Sequence, residues 1–177
     1  LARALSDDAE NGEALELLNS LAIIDPENAN VQEAIAKVAG RLGDAVLHDE
    51  SEGIARVLLG GTLPRKPWLV ASRESMSAIE GRQWKTARKS AERAVKANSD
   101  QPLPALLLLK SHWLAGDGDL AFPLAEGFYE RWPECVALCL CLAESVLRTG
   151  DYTRGVALLH DVVGIDPSGE VAERYWG

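Results

Sequence analysis

The sequence repeats itself with a period of 34 residues between Pro102 and Gly169. Gly116-Asp117 recurs as Gly150-Asp151, and Pro133 recurs as Pro167. Small or apolar residues recur at the same interval: Ala121 as Gly155, Ala125 as Leu159, and Phe128 as Val162. Self-similarity at a fixed period of this length is typical of repeat proteins, whose units pack only against their neighbours. The period therefore predicts a solenoid.

Each copy of the unit has the pattern of two helices joined by a tight turn. The first helix is an apolar run, Ala105 to Leu114 in one copy and Val136 to Leu147 in the other. It ends at Gly-Asp, where glycine can adopt the left-handed conformation that closes a helix and aspartate can cap the next helix. The second helix has small or apolar residues at i, i+4 and i+7, and it ends at proline, which cannot extend a helix. Neighbouring pairs must stack to bury these faces.

These units resemble the tetratricopeptide repeat. In the unit that begins at Val136, the matching residues are Leu142-Ala143, Gly150-Asp151-Tyr152, Gly155, Leu159, Val162 and Asp166-Pro167. In the unit that begins at Pro102, they are Leu108, Gly116-Asp117, Ala121, Ala125, Phe128 and Pro133. A third unit begins at Trp68 and matches at Trp84, Ala87, Ala91 and Ala94. This third unit departs from the pattern in two places, because Gly81 lies one residue early and Asn98-Ser99 replaces Asp-Pro.

The resemblance implies an all-α fold, a right-handed superhelical solenoid of about four and a half helix pairs. It also implies a protein-interaction module with no enzymatic activity and no cofactor. Two other hypotheses stay open: a structural spacer or self-association segment that uses the ends of the array, and an enzyme whose catalytic domain lies outside this sequence. Because the chain starts at Leu1 and stops at Gly177, within a further unit, we expect it to be part of a longer protein.

Three segments follow from the register of the repeats. Residues 1–59 form a divergent N-terminal part, 60–67 a loop or insertion, and 68–177 three regular repeats and the start of a terminal helix. In the first part the sequence predicts the end of one helix at residues 1–8 and further helices at 11–24, 29–42 and 45–59. The loop contains two glycines and two prolines and adds about five residues to the period, an insertion that costs little entropy. It is interpreted either as a tolerated insertion or as a bend between two halves.

The net charge of −9 disfavours nucleic-acid binding, because phosphate repels an acidic chain. No apolar run is long enough to cross a membrane, and a cytoplasmic location is expected. Residues 68–100 are basic, with seven basic and four acidic residues. The stripe consists of Lys85, Arg88, Lys89, Arg93 and Lys96, which share one side of a helix. It is interpreted as a solvated outer face or, alternatively, as a docking surface for an acidic partner.

Residues capable of catalysis or metal binding do not form a recognisable motif. Cys135 and Cys139 lie one helical turn apart, and His112 or His160 could join them, but structural zinc sites use shorter spacings and four ligands. Cys139 falls on a core position of the repeat, where a free cysteine acts as a small hydrophobic residue. No phosphate-binding loop or nucleophile motif is present. The sequence therefore predicts no catalytic, cofactor or metal site.

The resemblance implies a peptide-binding groove lined by the first helix of each unit. An apolar surface with a few charges would suit a partner helix or an extended peptide. The alternative is that some of these side chains belong to the core, since an error of one residue in the helical phase turns the assigned face by about 100°. The predicted binding residues are Arg73, Met76, Leu103, Leu106, Lys110, Trp113, Leu140 and Glu144.

Overall fold

The computed structural model describes residues 2–61 and 65–176, with side chains described for 10–61 and 65–175. Within these residues the chain is all α-helical, as the sequence predicts. No helix in this part of the chain has the length and apolarity needed to span a membrane. The helices are α1 (Ala2–Ile24), α2 (Ala29–Leu42), α3 (Ala45–Leu58), α4 (Pro67–Glu80), α5 (Trp84–Ala97), α6 (Pro102–Trp113), α7 (Gly118–Arg131), α8 (Val136–Thr149), α9 (Tyr152–Ile165) and α10 (Glu170–Trp176).

Glycine and aspartate separate the two helices of a unit for the reasons that the sequence indicates. Gly43, Gly116 and Gly150 have positive φ angles of 76°, 81° and 89°, which side chains with a Cβ rarely adopt. The carboxylate of Asp151 then accepts a hydrogen bond from the backbone N–H of Arg154 at 3.1 Å, which caps α9. Each turn thus reverses the chain within two to four residues, and the two helices pack antiparallel.

The turn between α4 and α5 uses a different residue for the left-handed position. Arg82 has a φ of 55°, whereas Gly81 before it has a φ of −78°. Counted by the period, Arg82 occupies the place of Gly116 and Gly150. The glycine that the sequence places one residue early is therefore not the residue that makes this turn. A non-glycine residue in this region of φ carries a conformational cost.

One helical boundary in the N-terminal part was predicted wrongly. Residues 2–24 form one continuous helix, α1, and the separate helices expected at 1–8 and 11–24 are not found there. Nothing between Asp8 and Asn11 terminates a helix, since this stretch contains neither proline nor glycine. Gly12 lies inside α1, where a single glycine costs about 1 kcal/mol relative to alanine and does not stop the helix.

The helices from α4 to α10 stack as antiparallel pairs. Each first helix packs on the next one, so that α4 contacts α6, α6 contacts α8, and α8 contacts α10. Small residues allow the second helices to approach the first ones closely: Ala87, Ala91, Ala94, Ala121 and Ala125 have no exposed surface. Gly155 has the same role in α9, because a Cβ there would lie 2.5 Å from Cδ2 of Leu147.

The N-terminal part does not continue this stack in register. Helix α2 packs mainly on α1 and α3, and not on α4 as a regular array requires. Ile54 and Val57 of α3 belong to a core cluster with Trp68 and Leu69 of α4 and with Leu103 and Leu107 of α6. The turn between α1 and α2 reaches α10, where Asp25 pairs with Arg174. The turn between α1 and α2 and the last helix are thereby in contact.

Candidate functional site

The three leucines predicted to line the groove are buried. Leu103 is 2% exposed, Leu106 has no exposed surface, and Leu140 is 6% exposed. All three belong to the two hydrophobic clusters that hold the array together. In this structure they are therefore core residues, in line with the alternative that the sequence left open. The reason is tertiary: these side chains pack into clusters formed between neighbouring helices, and Ile23 and Ile24 at the end of α1 add to one of them.

Lys110 of α6 lies where the N-terminal turn meets the first helices. Its Nζ donates hydrogen bonds to both carboxylate oxygens of Glu27, at 2.9 and 2.6 Å. The same ammonium group lies 4.9 Å from the ring centroid of Tyr175 in α10, a cation–π contact. Because both charged side chains are only 20–30% exposed, this pair is screened less by solvent than a surface pair.

Asp25 makes the second charged contact between the two ends of the chain. Its carboxylate accepts hydrogen bonds from the guanidinium of Arg174 and, at 3.4 Å, from the hydroxyl of Tyr175. Asp25 is 3% exposed and Pro26 is fully buried. The hydrogen bond with Asp25 raises the pKa of Arg174, and burial next to the acids Glu27 and Asp25 raises the pKa of Tyr175. Tyr175 therefore remains a neutral hydrogen-bond donor.

Two isoleucines complete this contact. Ile23 and Ile24 end α1 and pack, partly buried, against the large cluster formed by α6 to α9. We call residues Ile23–Glu27 the N-terminal turn. It presents a pair of aliphatic side chains followed by two carboxylates, and it lies across α6, α8 and α10. The face of these helices that the turn contacts is called the covered face below.

Trp113 and Glu144 lie farther along the same helices and meet through Arg148. The guanidinium of Arg148 lies 5.2 Å from the Trp113 ring centroid and 3.2 Å from the carboxylate of Glu144. A cavity of about 250 Å³ opens beside them, bounded also by Phe122 and Ser145. Trp113 is half-buried, so one side of its ring remains available to another molecule.

Arg73 and Met76 are separated from the other predicted residues. Arg73 donates a hydrogen bond from Nη1 to the carbonyl oxygen of Val57 at 3.1 Å and thereby ties α4 to α3. Met76 packs, partly buried, against the cluster that contains Ile54 and Leu107. Both residues hold α3 against α4, whereas Lys110, Trp113 and Glu144 lie on the covered face or beside it.

A second cavity lies between the N-terminal helices and the middle of the chain. It has a volume of about 210 Å³ and is bounded by α1, α2 and α3 on one side and by Pro102 and Trp132 on the other. Much of its wall is polar and includes Gln32, Glu50 and Gln101. Polar walls and unfilled volume contribute less to cohesion than a packed apolar interface. Hydrophobic contacts therefore stabilise only part of the junction between the N-terminal helices and the middle of the chain.

The three cysteines have no chemistry of their own in this setting. Burial raises the pKa of Cys135, Cys139 and Cys141 to about 12, so each is a protonated thiol at neutral pH. Within the residues that the structure describes, no group of three or more His, Cys, Asp or Glu side chains is arranged to hold a metal ion.

Sequence reasoning missed four of the residues that meet on the covered face: Asp25, Glu27, Arg174 and Tyr175. Asp25-Pro26 was interpreted only as the end of a second helix. Asp25 and Arg174 are 149 residues apart, and no local pattern encodes a contact at such a distance. The available signal was the departure from the period between α3 and α4, which indicated that the N-terminal part could leave the register.

Comparisons with known proteins agree with the architecture. The fold is an all-helical solenoid of antiparallel pairs. It is similar to the solved structure titled "MamA RS-1 ArsTM double mutant", with a TM-score of 0.53 and 16% sequence identity, over 90% of this chain and 87% of that chain. MamA is a helical solenoid of the tetratricopeptide-repeat type. At this identity the likeness shows the fold alone. Scans against protein-family models and against curated proteins find no match.

Proposed function

We propose that this chain is a tetratricopeptide-type interaction module that binds a peptide or partner helix on the covered face. The observation that carries the proposal is that this face already holds a polypeptide segment, the N-terminal turn. Aliphatic side chains of the turn meet an apolar cluster, and its carboxylates meet Lys110 and Arg174. A surface that accommodates one segment in this way has the apolar floor and charged rim of a peptide site.

The predicted binding residues take different parts in this proposal. Lys110 supplies a charge for an acidic group of the partner, and Trp113 supplies an aromatic surface beside the 250 Å³ cavity. Glu144 orients Arg148 over that ring. Leu106 and Leu140 form the floor, and Leu103, Arg73 and Met76 act indirectly by holding α3 in place.

A random-peptide display library selected against the immobilised full chain tests this proposal. We expect the enriched peptides to lose at least ten-fold in affinity for the Lys110→Glu and Trp113→Ala variants. Lys89→Glu is the matched control, because it makes the same charge change on an exposed position of α5. Leu106→Glu is unsuitable, since a charge at a fully buried position would unfold the chain. Peptides that bind all the variants equally would contradict the proposed site.

A second candidate function is self-association through the end of the array. An apolar stripe on α9 favours it, in which Tyr152, Val156 and Val163 are 69%, 52% and 65% exposed. Stripes of this kind mark contact surfaces. Light scattering from micromolar to millimolar concentration distinguishes the two functions. A mass that grows with concentration, and stops growing in Val156→Asp, supports self-association, whereas a constant monomer mass rejects it.

A further inference from the structure

We infer that the N-terminal turn is an internal ligand, and that the partner of the covered face is a segment of the same chemistry: two adjacent aliphatic residues followed within three positions by acidic residues. This inference rests on the proposed function and adds to it the class of partner and the means of regulation. A partner of this class binds by displacing Ile23–Glu27 from α6, α8 and α10.

The charges around the turn select for an acidic segment. The whole chain carries a net charge of −9. A basic group on an inner surface therefore has a charge opposite in sign to that of the chain. The turn nevertheless contacts basic side chains on two different helices, Lys110 and Arg174. Tyr175 adds a neutral hydroxyl donor, which also favours a carboxylate. A partner with basic residues at these positions would meet like charges and would be rejected.

The shape of the turn specifies how the acids must be presented. Pro26 restricts the backbone between the two carboxylates, and the N–H of Asn28 donates to the carbonyl oxygen of Asp25 at 3.1 Å. The Asn28 side chain then caps α2 by accepting a hydrogen bond from the N–H of Val31. The two acids are thereby held at a helix–turn–helix junction. A partner of matching shape ends a helix with its aliphatic pair and places its acids in the turn that follows.

The contacts that hold the turn can be exchanged for those of a competing segment. Each ion pair keeps some contact with solvent: the side chains of Lys110 and Glu27 are 28% and 21% exposed, and that of Arg174 is 50% exposed although that of Asp25 is only 4% exposed. Pairs that keep contact with water contribute modest net stability. The cavity of about 210 Å³ lies beside the same segment, so the junction is not fully packed there. By contrast, Ile54 and Val57 of α3 are nearly fully buried and keep the N-terminal part attached nearby.

Tethering makes the turn a competitor at high local concentration. A segment joined to its site by a short linker acts at an effective concentration on the order of millimolar. The apparent affinity of a free partner is therefore its intrinsic affinity multiplied by the fraction of molecules whose covered face is not occupied by the turn. Any change that weakens the turn raises the affinity for the partner without altering the site itself.

The test uses the full chain and a fluorescent peptide of residues 17–30. The receptors are wild type, Glu27→Lys, Glu27→Gln and Lys110→Glu, each first checked by circular dichroism for unchanged helicity. Fluorescence anisotropy is expected to give about three- to five-fold tighter binding to both Glu27 variants than to wild type, since a partly exposed ion pair contributes no more than this. Lys110→Glu is expected to bind the native peptide at least ten-fold more weakly than Glu27→Gln does, and to prefer a peptide that carries lysine in place of Glu27.

Equal binding to wild type and to both Glu27 variants, or no binding to any receptor, overturns the internal-ligand inference. Glu27→Gln removes only a charge, so it keeps the test valid if Glu27→Lys fails to fold. The result can be separated from the proposed function. If display-selected peptides depend on Lys110 but do not compete with the 17–30 peptide, the covered face is still a binding site, but the turn is not its ligand. If the Glu27 variants bind no peptide but their molar mass increases with concentration, the turn of one copy occupies the covered face of another copy. This result would also reject the inference.

Discussion

Two turns of this chain share the dipeptide Asp-Pro and the same backbone hydrogen bond, yet the aspartate carboxylates bind different partners. In each turn the N–H three residues on donates to the aspartate carbonyl oxygen: Asn28 to Asp25 and Gly169 to Asp166, both at 3.1 Å. The carboxylate of Asp166 stays local and accepts the N–H groups of Val171 and Ala172, both at 2.9 Å. The carboxylate of Asp25 instead pairs with Arg174 on the last helix.

One side chain accounts for this difference. The residue before α2 is Asn28, whose side chain caps that helix, so Asp25 is not needed for capping. The corresponding residue before α10 is Gly169, which has no side chain, so Asp166 takes over the role of the cap. A repeat motif therefore predicts the backbone of a turn, while its neighbours decide whether the acid supports a helix or joins two distant parts of the chain.

The largest expected effect is on the free energy of unfolding, and it distinguishes a core residue of the covered face from a residue of its charged rim. Leu106→Ala should lower the free energy of unfolding by about 3 kcal/mol, since it leaves a cavity at a fully buried site. Lys110→Ala should lower it by about 1 kcal/mol or less, because the ion pair is partly exposed. Urea denaturation followed by circular dichroism measures both. A Leu106→Ala effect below about 0.5 kcal/mol would mean that this side chain faces solvent.

The two aspartates should differ in the same assay. Asp166→Ala should cost about 1–2 kcal/mol, as expected for the loss of a helix cap with several hydrogen bonds. Asp25→Ala should cost less, about 1 kcal/mol, since Arg174 can return to water. The double variant should cost less than the sum, because loosening α10 already weakens the site of Asp25. Strict additivity would show that α10 does not connect the two turns.

The pH dependence separates the two turns further. Burial alone would raise the pKa of Asp166, but the hydrogen bonds from Ala172, Ser168 and Val171 outweigh it and lower that pKa below its ordinary value near 3.8. A lowered folded pKa contributes stability above the unfolded value, and this stability is lost as the pH falls through the folded value. The stability difference between wild type and Asp166→Asn should therefore be constant from pH 7 to about pH 5 and shrink below about pH 4. A difference that stays constant down to pH 2.5 would contradict this assignment.

The smallest effect concerns the irregular turn of the middle unit. Arg82→Gly should stabilise the chain by about 0.5–1 kcal/mol, because glycine adopts the positive φ of 55° without the steric cost of a Cβ. Gly81→Ala is the comparison variant: its φ of −78° suits any residue, but an added Cβ would lie 3.3 Å from the carbonyl oxygen of Ser77, a tight contact, so no stabilisation is expected there. Thermal melts of both variants check the prediction. Destabilisation by Arg82→Gly would mean that its side chain has a role in holding the turn.

Local sequence signals predict the helices and their register from residue 68 onward. These signals are glycine at left-handed turns, proline at helix ends and small residues at fixed spacings such as Ala121 and Ala125. They also indicate where regularity stops, at the loop before Pro67. The local signals failed at Gly81, where a neighbouring arginine makes the turn, and in α1, where no residue marked a boundary and none exists.

Which face of the first helices meets solvent follows from tertiary packing. Leu106 and Leu140 are buried in a cluster that α6 to α9 build together, and Ile23 and Ile24 of α1 pack against it. The charged contacts of the N-terminal turn, Asp25 with Arg174 and Glu27 with Lys110, join residues 149 and 83 positions apart. The pattern of a repeat reports on neighbours within about one unit, and these contacts join residues that no single unit contains.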